Sequence, residues 1–155
     1  MEATMNIDIR IGAQINRVQG SVTVKEGVIK RTVVVTLARE FDMPLAAALG
    51  KDAKKALDML ESGSLAEVTI PMSRIEATAT FSANADQVKI IGLRGIACKA
   101  KAGDPDEDEP PTAKLTFEFD WEKAAWVFLG WNLSAMAEVE IASMQKELIL
   151  GESVA

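Results

Sequence analysis

Two stretches of this chain follow the same plan, and any fold must accommodate both. The first runs from Thr36-Leu37-Ala38-Arg39-Glu40-Phe41-Asp42 through an Ala/Leu-rich segment to Ala66-Glu67-Val68-Thr69-Ile70. The second runs from Thr116-Phe117-Glu118-Phe119-Asp120 through another apolar segment to Ala137-Glu138-Val139-Glu140-Ile141. Glu-Phe-Asp recurs at Glu40 and Glu118, and Ala-Glu-Val-x-Ile recurs at Ala66 and Ala137. The shared order is strand, acidic corner, helix, strand, and self-similarity of this kind sets the architecture. The competing reading is one α+β domain in which the likeness is coincidental.

Period-two alternation identifies the strands. From Met5 to Ile15 the apolar side chains Met5, Ile7, Ile9, Ile11, Ala13 and Ile15 share a face, and Leu115, Phe117, Phe119 and Trp121 do the same later. Gln19-Gly20 reads as a turn and Glu26-Gly27 as a second turn candidate, because glycine supplies the positive φ that tight turns need. The β-branched run Thr32 to Thr36 favours strand over helix. Asp42 is placed to cap a helix that has Pro44 in its first turn. Leu45, Leu49, Ala53, Ala56 and Leu60 then form one helical stripe, which Gly50 weakens and bends. Past Pro71 the apolar phase flips, which calls for a bulge or corner at Pro71-Met72-Ser73-Arg74. Val88 to Ile91 and Ile96 to Lys101 read as strands around a glycine-bounded hairpin turn, Gly92-Leu93-Arg94-Gly95. Ala124 to Leu129 is apolar all round, so it is buried if helical, with Gly130 as its stop.

These readings predict an α+β chain with a mostly antiparallel sheet and two helices. They arrange it as two βββαβ pseudo-repeats, 5–72 and 74–145, sharing one core within a single domain of 1–155. Residues 102–112 hold three of the five prolines and an acidic run with no large apolar side chain. Such a segment cannot bury enough surface to offset its ordering entropy, so it is expected to be a mobile loop.

Composition narrows the function classes. The chain has no histidine and no tyrosine, which removes the commonest general base and metal ligand near neutral pH. Its one cysteine, Cys98, excludes an internal disulfide and falls in an alternating stretch, the setting of a buried structural thiol. No nucleophile elbow, phosphate loop or dinucleotide fingerprint is present. Asp42 and Asp120, at the paired helix starts, are explained by capping. The chain therefore reads as non-enzymatic, with no cofactor and no metal site; the acids of 104–109 lack the glycine and distal glutamate of a calcium-binding loop. No apolar run reaches the length of a membrane span, and the start carries no secretory pattern. A reducing cytoplasm is the expected location.

Net charge is −6 and the isoelectric point near 4.8, a balance that argues against direct nucleic-acid binding. It suits a soluble protein that meets a basic partner, and a homo-oligomer is compatible with it. The candidate partner-binding residues are the exposed carboxylates Asp104, Asp106, Glu107, Asp108 and Glu109, together with Trp131, which lies beyond Gly130. Trp121 belongs to a strand face and Trp126 to the core. An alternative ligand-binding set is the basic segment 74–101, with Arg74, Lys89, Arg94, Lys99 and Lys101. Ile90-Ile91-Gly92-Leu93-Arg94-Gly95 also resembles the Gly-x-x-Gly loop of KH domains, which clamps phosphates between two helices. Both flanks here read as strand, which favours the turn.

The segment Phe117-Glu118-Phe119-Asp120-Trp121, followed by Ala125-Trp126-Val127-Phe128-Leu129-Gly130, resembles the C-terminal part of small uncharacterised bacteriophage accessory proteins. The resemblance spans about thirty residues and carries no catalytic assignments. It implies a small virus-encoded protein acting in the host cytoplasm. The expected function is that of a binding protein, such as a phage-encoded inhibitor of a host protein with a basic surface. The alternative is a module that sequesters a small ligand or nucleotide through the basic segment.

Overall fold

The computed structural model describes residues 8–73 and 75–143. Residues 5–7, Arg74 and the end of the expected second repeat beyond 143 lie outside them. Seven strands and three helices follow one another as β1 (Asp8–Lys25), β2 (Val28–Glu40), α1 (Met43–Leu49), α2 (Lys51–Glu61), β3 (Glu67–Pro71), β4 (Glu76–Ala83), β5 (Asp86–Lys101), β6 (Thr112–Asp120), α3 (Lys123–Trp131) and β7 (Met136–Ser143). All strand pairs are antiparallel, and the chain is α+β.

The sheet order is β3-β5-β4-β7-β1-β2-β6, and β5 pairs with β6 as well. That last ladder turns the row β5-β4-β7-β1-β2-β6 into a closed ring of six strands, with β3 added beside the C-terminal half of β5. Alternation fills the ring: Ile11, Ala13 and Ile15 of β1, Val33, Val35 and Leu37 of β2, and Leu115, Phe117 and Phe119 of β6 are all buried. Closure removes the exposed edges that an open sheet of this length would present.

The ladder registers carry a two-fold relation. In the β1–β2 hairpin Gln14 faces Ala38 and Ile15 faces Leu37, then a bulge shifts the pairing so that Arg17 faces Thr36. Adding 80 to every number gives the β5–β6 hairpin, where Arg94 faces Glu118, Gly95 faces Phe117 and, past an equivalent bulge, Ala97 faces Thr116. The axis passes between Thr36 and Thr116, which face each other where β2 meets β6. On the far side β4 and β7 pair across Thr80 and Glu140. The strand matching β7 is therefore β4, not β3. The Ala-Glu-Val-x-Ile likeness falls on β7 of the ring and on β3 beside it, and the register puts the boundary between the halves between β4 and β5, at 83–86, rather than at 72–74 as in the expected repeats 5–72 and 74–145.

Glycines account for the other departures from the expected elements. Gln19-Gly20 is not a turn; β1 runs straight through it, and the reversal comes at Glu26-Gly27, where both residues have positive φ. Gly92-Leu93-Arg94-Gly95 is likewise strand, not a hairpin turn or a phosphate clamp. Gly92 (φ 77°) sits in the bulge between β4 and β5. A Cβ on Gly95 would lie 2.3 Å from the Met72 carbonyl oxygen, so this glycine allows a close backbone approach. The long helical stripe is broken into α1 and α2 at Gly50 (φ 111°). Asp42 caps α1 as expected, accepting the Leu45 N–H at 3.1 Å. In contrast, α3 continues through Gly130 to Trp131.

The β1–β2 hairpin outruns the ring. β7 covers β1 only from Asp8 to Gln14, and β6 covers β2 only from Thr32 onward. Beyond that, Val22–Lys25 and Val28–Arg31 stand as a two-stranded ribbon about 13 Å long at 3.3–3.4 Å per residue.

Candidate functional site

A groove of about 840 Å³ lies on the outer face at the end of the ring where β5 hands over to β6. Its floor is low because Gly12 of β1 and Ala38 of β2 have little or no side chain, and longer residues rise around it. The outward positions of β5 contribute Lys99 and Lys101, and β6 contributes Lys114. Lys99 stands directly opposite Lys114, with Thr69 of β3 on its other side. Cross-strand neighbours of this kind hold their Cβ atoms roughly 4.5–5.5 Å apart, and like charges so placed destabilise a sheet. Among the described residues neither lysine, nor Lys101, has an ion-pair partner. Glu67 lies across from Lys101 and Glu40 lines the rim, so the positive charge concentrates at the Lys99–Lys114 pair.

Arg39 reaches the same groove in a different state. Its side chain is 13% exposed, pairs with Asp42, and donates to the carbonyls of Gly12 at 3.2 Å and Glu40 at 2.9 Å. It buttresses the wall and the α1 cap; its charge is already met.

The basic segment 74–101 is thus only partly gathered. Lys99 and Lys101 meet in the groove. Arg94 is engaged by Glu118 and Asp120, at 3.4 and 3.2 Å. Lys89, opposite Thr80, lies ten residues from Lys99, about 30 Å along the strand. Arg74 lies outside the described residues. Lys114 and Arg39 were not among the sequence candidates. The visible signal for Lys114 was its polar position in the alternation Ala113-Lys114-Leu115; its nearness to Lys99 is a product of the non-local β5–β6 ladder.

The acidic loop and Trp131 are at opposite ends of β5. Asp104, Asp106, Glu107, Asp108 and Glu109 follow its last residue and are all exposed. The loop is compact rather than an open excursion. Residues Pro105–Glu107 form a 3-10 turn, the Asp104 side chain accepts the Asp106 N–H at 2.9 Å, and the Asp104 carbonyl accepts from Glu107 and Glu109. Among the described residues none of these carboxylates is in an ion pair. Trp131 sits by Asp86–Val88 at the other end of β5 and is 80% exposed. Trp126 is not core: it is 36% exposed, its ring edge lying over Gly20, 3.5 Å from where a Cβ would be.

Cys98 is fully buried on the inner face, and burial pushes its thiol from an ordinary 9.0 up to about 12. The folded state holds that proton more tightly than the unfolded state. Its contribution to stability is complete below pH 9 and falls as the pH rises towards 12. A thiol reagent at pH 8 is expected to label Cys98 only through unfolding, with a rate that rises in urea. Rapid stoichiometric labelling of the native protein would contradict this burial. Among the described residues no group of acids and thiols is placed to hold a metal ion, and no helix is long and apolar enough to cross a membrane.

Comparison with family models, with curated proteins and with solved structures gives no match to the chain.

Proposed function

We propose that this chain is a non-enzymatic binding protein whose groove holds a small polyanion, of the size and charge of a nucleotide. The observation that carries this reading is the Lys99–Lys114 pair: two cations set opposite each other, with Lys101 beside them, facing a hollow of about 840 Å³. That volume falls in the range of small-molecule sites, roughly 300–1,000 Å³. An anion between the two ammonium groups turns an unfavourable contact into a favourable one. The absence of histidine and the buried thiol support binding rather than turnover.

Calorimetric titration with a nucleoside triphosphate and with the matching nucleoside tests the proposal. The triphosphate is expected to bind and the nucleoside to bind far more weakly. Lys99→Ser with Lys114→Ser should weaken the triphosphate by about 30-fold or more, since a hydrogen bond to a charged group contributes about 1.5–3 kcal/mol. No heat with any polyphosphate, or equal affinity in the double variant, would refute it.

The acidic loop supports a second reading, that of a phage-encoded inhibitor of a host protein with a basic surface, working in the host cytoplasm. Here the supporting observation is a self-bonded turn that presents five carboxylates with no ion pair among the described residues. Trp131, at the far end of β5, would be a separate contact.

A further inference from the structure

From the placement of charge and aromatic rings at the ribbon end, we infer a second binding face, one for single-stranded nucleic acid. The net charge of −6 is not evenly spread. Between residues 17 and 31 Arg17, Lys25, Lys30 and Arg31 stand against the single carboxylate Glu26, which leaves this stretch at +3. Among the described residues none of these four cations is in an ion pair. Asp120, opposite Thr32 at the base of the ribbon, is already engaged by Arg94.

The ladder sorts these residues onto two faces. Residues directly opposite share a face, so Arg17, Lys25 and Lys30 lie on the outer one, with Gln19, Ser21 and Thr23 as further hydrogen-bonding groups. The inner face continues the lining of the ring beyond its end and carries Val22 opposite Arg31 and Val24 opposite Ile29. Val22, Val24 and Ile29 are 63%, 69% and 64% exposed, so this apolar surface has no cover among the described residues. Two tryptophans stand at its base. The Trp121 backbone N–H donates to the Arg31 carbonyl at 3.0 Å, which places this residue beside Arg31 in the same row. Trp126 lies over Gly20 on the same face, where the missing side chain lets the ring approach. Trp121 is 40% exposed and Trp126 36%, so both keep ring surface open to solvent.

Partly exposed indole rings beside a guanidinium, backed by a row of cations on a narrow ribbon, match what an unpaired strand offers. Bases stack on aromatic faces while phosphates meet the basic groups. A duplex hides its base faces and would engage only the cations. The other occupant with the right charge is a second copy of this chain: the two-fold relation of the hairpins places residues 105–108 of the acidic turn where the ribbon tip 25–28 would fall. The rings decide between them, because a carboxylate-rich turn makes no use of indole faces.

The test is quenching of intrinsic tryptophan fluorescence by a dT oligonucleotide about a dozen nucleotides long, a length within single-strand site sizes. Wild type should bind and be quenched, more tightly than it binds a duplex of equal charge. The logarithm of affinity should fall with the logarithm of salt at a slope of about −3, from about 0.7 per phosphate met by four cations. Lys25→Ser, Lys30→Ser and Arg31→Ser together should weaken binding at least tenfold and flatten that slope. Their far-ultraviolet spectrum and melting temperature should stay unchanged, since all three side chains are exposed. Lys99→Ser with Lys114→Ser should leave it untouched, which separates this face from the groove. The inference is overturned by absence of binding at low salt, by equal binding in the ribbon variant, or by loss only in the groove variant. It is also overturned if the ribbon substitutions abolish a salt-sensitive self-association in sedimentation while oligonucleotide binding is unaffected.

Discussion

Replacing Gly95 with alanine is expected to destabilise the fold by about 3 kcal/mol, the upper end of overpacking losses. The added Cβ would lie 2.3 Å from the Met72 carbonyl oxygen and 2.8 Å from the Met72 Cβ, closer than any such pair tolerates. Neither side can move freely. Gly95 donates its N–H to the Ile75 carbonyl at 2.9 Å, and Met72 donates to Ile96 at 3.2 Å, so displacement of either breaks the corner between β3 and β4. For a chain of this size the loss corresponds to a fall in melting temperature of about 6–12 °C. A melting curve within 2 °C of wild type would mean that the corner does not press on β5 as described.

Phe117→Ala should cost about 3–5 kcal/mol, the usual range for deleting a buried phenylalanine ring. Phe117 is 1% exposed and lies in the ladder between Val35 of β2 and Gly95 of β5, inside the closure of the ring. The bare Gly95 next to it adds no side chain that could swing in to fill the space. Urea unfolding should show a lower midpoint at an unchanged slope, since the same surface is still exposed on unfolding. A loss below about 1 kcal/mol would contradict a closely packed ring interior.

Local chemistry was legible where a single rule decided the outcome. The alternation of Leu115, Phe117 and Phe119 marked β6 and its buried face, Asp42 marked the α1 cap, and the phase flip at Pro71 marked the break before β4. Glycine was the main source of error, because it serves turns, bulges and close contacts alike. Gly20 makes room for an indole, Gly92 supplies a bulge and Gly95 admits a carbonyl, whereas a turn was the expectation at all three. The apolar stretch of α3 suggested burial on every side. Only Ala125, Phe128 and Leu129 face the core, because the short helix packs on one side alone. The groove was out of reach for a different reason. Lys99 and Lys101 drew notice as part of a basic segment, but the closing β5–β6 ladder brings Lys114 to them, and no local pattern encodes that pairing. The two-fold relation of the ladders could not be placed from the sequence, since the Ala-Glu-Val motif points to β3 where the ring uses β4.

Melting of wild type against Lys99→Thr with Lys114→Thr, each with and without millimolar pyrophosphate, reads whether the groove holds unmatched positive charge that an anion can meet. Without anion the double variant should be the more stable, by about 0.2–1 kcal/mol, because a cross-strand Thr–Thr pair replaces two like charges. Pyrophosphate should raise the melting temperature of wild type, through preferential binding to the folded state, and leave the variant where it was. A variant that melts lower than wild type without anion, or one that pyrophosphate stabilises equally, would mean that Lys99 and Lys114 do not form an anion site.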